Sequence, residues 1–163
     1  MVKRGAFTLT EVMLVVAITS AVFAIAAPIM LQANRQFIMN RTRVELQQEA
    51  RSIMYVVTRN LRQAKNATIT STRANALQPF YSKISFTKQD GKQMIFQQEG
   101  VYLYNVIGTR KVQLSKNLKY LAFTFPRSDD MGIISVSITL EKNIFEGRKK
   151  ALHMASEKVR VMN

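Results

Sequence analysis

The chain has 163 residues, room for one domain with an extended element, and its 24 Lys and Arg against 10 Asp and Glu give a formal charge of +14. It contains no Cys and one His, His153, which excludes a disulfide framework, a thiolate zinc site, a cysteine nucleophile and any cluster of imidazole ligands. The 47% apolar and 21% charged residues make a globular mixture, and the apolar ones are unevenly spread.

Between Glu11 and Arg35 there are 23 uncharged positions. The densest part, Val12 to Leu31, is about 30 Å long as a helix, the thickness of a bilayer's hydrocarbon core. Thr19 and Ser20 can bond back to their own helix, and Pro28 removes one helical donor and loosens the helix there. The run therefore reads as a membrane helix. A cleaved secretory signal is the competing reading, with Lys3 and Arg4 as its basic start and Ala24-Ile25-Ala26 as its cleavage site. A plain signal anchor is another. Glu11 sits badly with the first and would have to snorkel to the interface in the second, because a carboxylate in mid-bilayer costs roughly 2.5–3.5 kcal/mol. Arg35, Arg41, Arg43 and Arg51 follow the span, so the positive-inside rule alone does not export what comes after it.

The stretch Lys3-Arg4-Gly5-Ala6-Phe7-Thr8-Leu9-Thr10-Glu11-Val12, with the apolar run behind it, resembles the class III signal of type IV pilins and type II secretion pseudopilins. The resemblance implies a leader, 1–6, removed by a prepilin peptidase. It implies N-methylation of Phe7 as the first mature residue, with Glu11 as the fifth and Pro28 as the helix-loosening proline. Ala6 stands where the family usually carries Gly. A cut after Gly5 would make Ala first and Glu sixth, whereas a cut after Ala6 keeps both features. The family pairs this Glu with the N-terminal amine of a neighbouring subunit in the filament. Such a pair in low dielectric is favourable only with both members present.

From Gln32 to Lys65 there is no Gly or Pro. Apolar residues recur at Phe37, Val44, Leu46, Ala50, Ile53, Met54, Val57, Leu61 and Ala64, mostly three or four apart, which marks one helical face. One helix from about Phe7 to Lys65 is expected, with Glu45 within reach of Arg41.

After Asn66 the period changes to two. Strands are expected at Ile84–Thr87, Gln93–Phe96, Val101–Tyr104, Val112–Leu114, Lys119–Phe125, Ile134–Leu140 and Val159–Val161. Turns are expected at Asp90-Gly91, Glu99-Gly100 and Asp129–Gly132, with a charged loop from Glu141 to Lys150. The fold class is α+β: a long N-terminal helix packed on a C-terminal antiparallel sheet, divided as 1–6 leader, 7–31 membrane and assembly helix, 32–65 amphipathic helix and 66–163 head. This is also the pilin architecture. Leu46-Gln47-Gln48-Glu49-Ala50-Arg51, Leu61-Arg62-Gln63-Ala64, the segment Asn117–Phe123 and the closing Val161-Met162-Asn163 look most similar to J-type minor pseudopilins and W-type minor pilins.

No motif for a nucleophile, a phosphate loop or a metal shell is present, so neither catalysis nor a cofactor is expected. His153 reads as a surface residue and Asp129-Asp130 as a turn. The resemblance implies the other filament subunits, the prepilin peptidase and the inner-membrane assembly platform as partners. It implies a single-pass inner-membrane protein with its C-terminal part exported. The basic pairs and runs Arg110-Lys111 and Arg148-Lys149-Lys150 are candidate contacts for a polyanion such as DNA or acidic polysaccharide. Set against that is a solvated surface that meets acidic neighbouring subunits. An unrelated exported basic β-domain remains the alternative to the filament reading as a whole.

Overall fold

The computed structural model describes residues 8–144 and 149–162. Helix α1 spans Leu9–Arg62, and a short 3-10 turn follows at Asn66–Thr68. Eight strands come next: β1 (Thr70–Thr72), β2 (Lys83–Thr87), β3 (Gln93–Glu99), β4 (Tyr102–Ile107), β5 (Arg110–Ser115), β6 (Leu118–Thr124), β7 (Ile133–Ile144) and β8 (Lys149–Arg160). The α+β class expected from the periodicities is what the chain adopts: one long N-terminal helix on antiparallel sheets. Two compact units divide between Asn40 and Arg41.

In the first unit α1 carries its most apolar window, and none of that window is buried. It is long and apolar enough to cross a membrane. The hydroxyls behave as expected there, since Thr19 Oγ1 donates to the Val15 carbonyl at 2.6 Å and Ser20 Oγ to the Val16 carbonyl at 2.7 Å. The helix is continuous across Pro28. Proline still lacks the N–H that would reach the Ala24 carbonyl, so that turn is one bond short.

In the second unit α1 buries Leu46, Ala50, Ile53, Met54, Val57 and Leu61, the stripe the spacing marks. Phe37 and Val44, expected on that stripe, are exposed. Val44 is two residues before Leu46, about 200° round the helix, so it faces away from the sheets. The stripe meets Ile84, Phe86, Met94, Phe96 and Leu103 of one sheet and Leu121, Phe123, Ile134, Val136, Ile138 and Leu140 of the other in the apolar core. Phe86 and Phe96 stack with ring centroids 6.2 Å apart. The end of the helix is tied down by backbone bonds. Lys65 N–H donates to the Thr87 carbonyl, Gln89 N–H to that of Gln63, and Met162 N–H to that of Arg62.

The strands form two antiparallel sheets where one is expected. β1 to β5 make a five-stranded sheet in chain order, and β6-β7-β8 a separate three-stranded one. Register shifts at Leu103/Tyr104 against β5, and at Leu118/Tyr120 against β7, flank the junction. A bulge turns a strand sharply and ends pairing, so the chain starts a second sheet after Ser115. Single backbone bonds bridge the two, from Leu118 N–H to the Val101 carbonyl and from Phe123 N–H to the Tyr81 carbonyl. Tyr81 has φ 63°, a left-handed conformation uncommon outside glycine, and it offers that carbonyl. The hairpin glycines are where the sequence puts them, with Gly91 at φ 81° and Gly100 at φ 61°.

The charged loop expected from Glu141 to Lys150 is mostly strand. β7 runs on to Ile144 and β8 begins at Lys149. The charges are accommodated in pairs: Lys150 Nζ lies 2.7 Å from Glu141, and Lys142 Nζ lies 2.8 Å from Glu45 on α1. Cross-strand and strand-to-helix ion pairs let these residues keep the ladder that isolated charges would leave.

Candidate functional site

Thr8 is the N-cap of α1 and Glu11 its third residue. Glu11 N–H donates to Thr8 Oγ1 at 3.3 Å, and Thr8 N–H donates to Glu11 Oε2 at 2.9 Å. The Thr8 hydroxyl also donates to Oε2, at 3.0 Å. This is a capping box, two orphan donors satisfied reciprocally, and the sequence spells it as T-x-x-E. Oε1 takes no part in it. A carboxylate therefore stands at the positive end of the helix macrodipole, just before an uncharged stretch with no cover of its own. Pro28 lies in the interior of the same helix. Gly5, Ala6, Phe7 and Arg148 lie outside the described residues.

The candidate polyanion contacts are split between the sheets. Arg110 and Lys111 open β5 at the margin of the five-stranded sheet. Lys111 Nζ is 2.6 Å from Glu99 and lies 4.0 Å over the Tyr104 ring. Lys111's hydrogen bond keeps the Glu99 carboxyl below its ordinary range, with desolvation opposing. Lys149 and Lys150 open β8 on the other sheet. Lys150 holds the Glu141 carboxyl below its ordinary range in the same way. Lys111 and Lys150 are thus already neutralised. Arg110 and Lys149 form no ion pair among the described residues. The two pairs do not share a sheet, so they do not form one continuous β-strand surface.

Two acidic residues of α1 do structural work in the head. Glu49 accepts from Ser115 Oγ at 2.6 Å and from Asn117 Nδ2 at 2.8 Å, at the turn where the chain leaves one sheet for the other. Glu45 accepts from Lys142 of β7 and from Arg41 one turn earlier. Lys142's hydrogen bond and charge, with a smaller contribution from Arg41, hold the Glu45 carboxyl below its ordinary value. Spacing shows only the Arg41–Glu45 contact; the long-range partners depend on the tertiary fold.

Asp129 pairs with Arg127 at 2.6 Å, and Asp130 accepts the Gly132 N–H at 2.9 Å, so this doublet closes a turn. His153 is half-buried on β8 opposite Leu140. Among the described residues no group of three or more potential metal ligands comes together. No family model, no curated protein and no solved structure matches the chain.

Proposed function

We propose that this chain is a structural subunit of a pilin-type filament, of the minor pilin or pseudopilin kind. Prepilin peptidase cuts it between Ala6 and Phe7, the Phe7 amine is methylated, and the subunit enters the priming or tip complex of a pilus or secretion pseudopilus. It is a substrate of processing enzymes and performs no reaction of its own. Its partners are other such subunits, met through the N-terminal helix, and the inner-membrane assembly platform. It begins in the inner membrane with residues 32–163 exported.

One observation carries this reading: the carboxylate of Glu11 opens an apolar helix whose most apolar window is left uncovered by the described residues. An ionisable group at the edge of lipid calls for a specific counter-charge. The amine released at Phe7 in a neighbouring copy is such a charge, and Glu11 Oε1, which takes no hydrogen bond among the described residues, can receive it. Because each charge alone is costly in lipid, docking is favoured only when both are in register. The experiment is Glu11→Ala in a strain that assembles the filament. The variant stays in the membrane and is lost from sheared filaments. Normal incorporation would remove the pairing role.

A second reading, capture of a polyanion such as DNA or acidic polysaccharide by the head, is favoured by the +14 charge and by Arg110 and Lys149. Retention of the detergent-solubilised full chain on duplex DNA, falling with salt, supports it. No retention at low salt removes it.

A further inference from the structure

The three-stranded sheet ends on β8. All twelve residues of β8, Lys149–Arg160, pair one to one with β7 without a register shift, and among the described residues no strand pairs with its other side. It contains neither Pro nor Gly. The other sheet margins are blunted. β1 has only three residues, and β5 meets β4 through a bulge. β6 spends amides on the Val101 and Tyr81 carbonyls. A long, regular, unbulged edge is what sheets ordinarily avoid, because its backbone is a template for another strand. The middle of β8 is open on both faces. Leu152 and Met154 are exposed outward, while His153, Ala155 and Glu157, which point toward the helix side, are only half-buried.

Beside this edge a groove of about 700 Å³ opens between α1 and β8, walled by Arg51, Tyr55, Arg59 and Arg62 from the helix and by Glu157 and Met162. Its one carboxylate, Glu157, is 3.8 Å from Arg62. Arg51 and Arg59 are exposed and have no ion pair among the described residues. Lys149 at one end of the strand, and Lys158 and Arg160 at the other, add positive charge at the two ends of the edge, while Lys150 is already paired with Glu141.

We propose that β8 receives an extended acidic segment of a different protein as an added strand. The segment's backbone completes the ladder, its carboxylates on one face meet Arg51 and Arg59 in the groove, and apolar residues on its other face lie beside Leu152 and Met154. Charge selects the occupant. A second copy of this chain, paired antiparallel about a two-fold axis at the middle of β8, would set Lys149 opposite Arg160, and like charges directly opposed are destabilising. An acidic strand meets complementary charge at the two ends of the edge and at Arg51 and Arg59 in the groove. This inference is independent of the filament reading, because it uses only residues of the second compact unit.

The test uses the full chain in detergent micelles and two blocked decapeptides, one alternating Glu and Val, the other Lys and Val. Fluorescence anisotropy gives affinity, and hydrogen exchange read by mass spectrometry reports on the β8 amides. The Glu/Val peptide binds at least roughly tenfold more tightly than the Lys/Val peptide and slows exchange within residues 149–160. The double variant R51E/R59E, at two exposed positions, keeps the parent's circular dichroism and loses that preference. Equal or absent binding of the two peptides, or binding that leaves β8 exchange unchanged, overturns the proposal.

Discussion

The Thr8 amide and hydroxyl both donate to one oxygen of Glu11, at 2.9 and 3.0 Å, and leave the other oxygen outside the cap. One side chain thus offers a helix-capping function and, among the described residues, an unused acceptor at the same point of the chain. The two functions are separable by substitution. Glu11→Gln keeps a side chain that can accept from the Thr8 N–H but carries no charge. Thr8→Ala removes the hydroxyl and leaves the charge. On the proposed pairing, E11Q reaches the membrane with its first helical turn intact and fails to enter filaments. T8A frays that turn, seen as faster amide exchange near Leu9, yet enters filaments. Incorporation that follows the cap rather than the charge would assign Glu11 a purely local role.

Glu49 fastens α1 to the turn between the sheets through Ser115 and Asn117. Glu49→Ala leaves both donors without their acceptor in a part-buried site. A loss of about 1–3 kcal/mol is expected, read by denaturant unfolding of the full chain in micelles. Glu49→Gln retains an acceptor for one donor and falls between the parent and the alanine variant. An unchanged midpoint for E49A would show that water replaces the contact fully.

The Glu45–Lys142 pair sets a direction for acid sensitivity. The Glu45 carboxyl is held below its unfolded value of 4.5, chiefly by the Lys142 hydrogen bond. A depressed carboxyl favours the fold above the unfolded value, and that contribution is lost as pH falls through the folded value. Stability is therefore constant in this respect at neutral pH and declines below about pH 4.5. Glu99 and Glu141, depressed by Lys111 and Lys150, act in the same direction. Glu45→Gln should flatten the acid limb of a stability–pH curve while leaving its slope at neutral pH unchanged. A steeper acid limb in E45Q would contradict the assignment.

If the head captures polyanions, the cations without an ion pair carry more of the contact than their paired neighbours. The double variant R110A/K149A then elutes from heparin or duplex DNA at lower salt than K111A/K150A, whose lysines already meet Glu99 and Glu141. The opposite order would mean that those ion pairs open on binding.

Much of the fold can be read from local pattern. Leu46, Ala50, Ile53, Val57 and Leu61 announce a buried helical stripe because their spacing alone puts them on one face. Asp90-Gly91 and Glu99-Gly100 announce turns because glycine accepts the positive φ found there. β1, Thr-Ser-Thr, carries no apolar residue, and its place is fixed by pairing with β2. Of β8 only Val159 and Arg160 read as strand and Lys149 and Lys150 read as loop; charged and polar residues between them leave little apolar alternation to show. The break into two sheets follows from bulges, which have no sequence period. At the candidate site the T-x-x-E cap is written in four consecutive residues. The partners of Glu49 stand 66 and 68 positions away and become visible only when the turn after β5 meets the helix.

The proposed pairing joins one carboxylate to one amine, and the intact mass and N-terminal sequence of the mature protein purified from membranes report on both positions. The expected chain begins at Phe7, carries one added methyl group on that amine, and so places Glu11 fifth. A chain that begins at Ala27, with the apolar helix removed, would contradict it and leave an exported basic β-domain in its place.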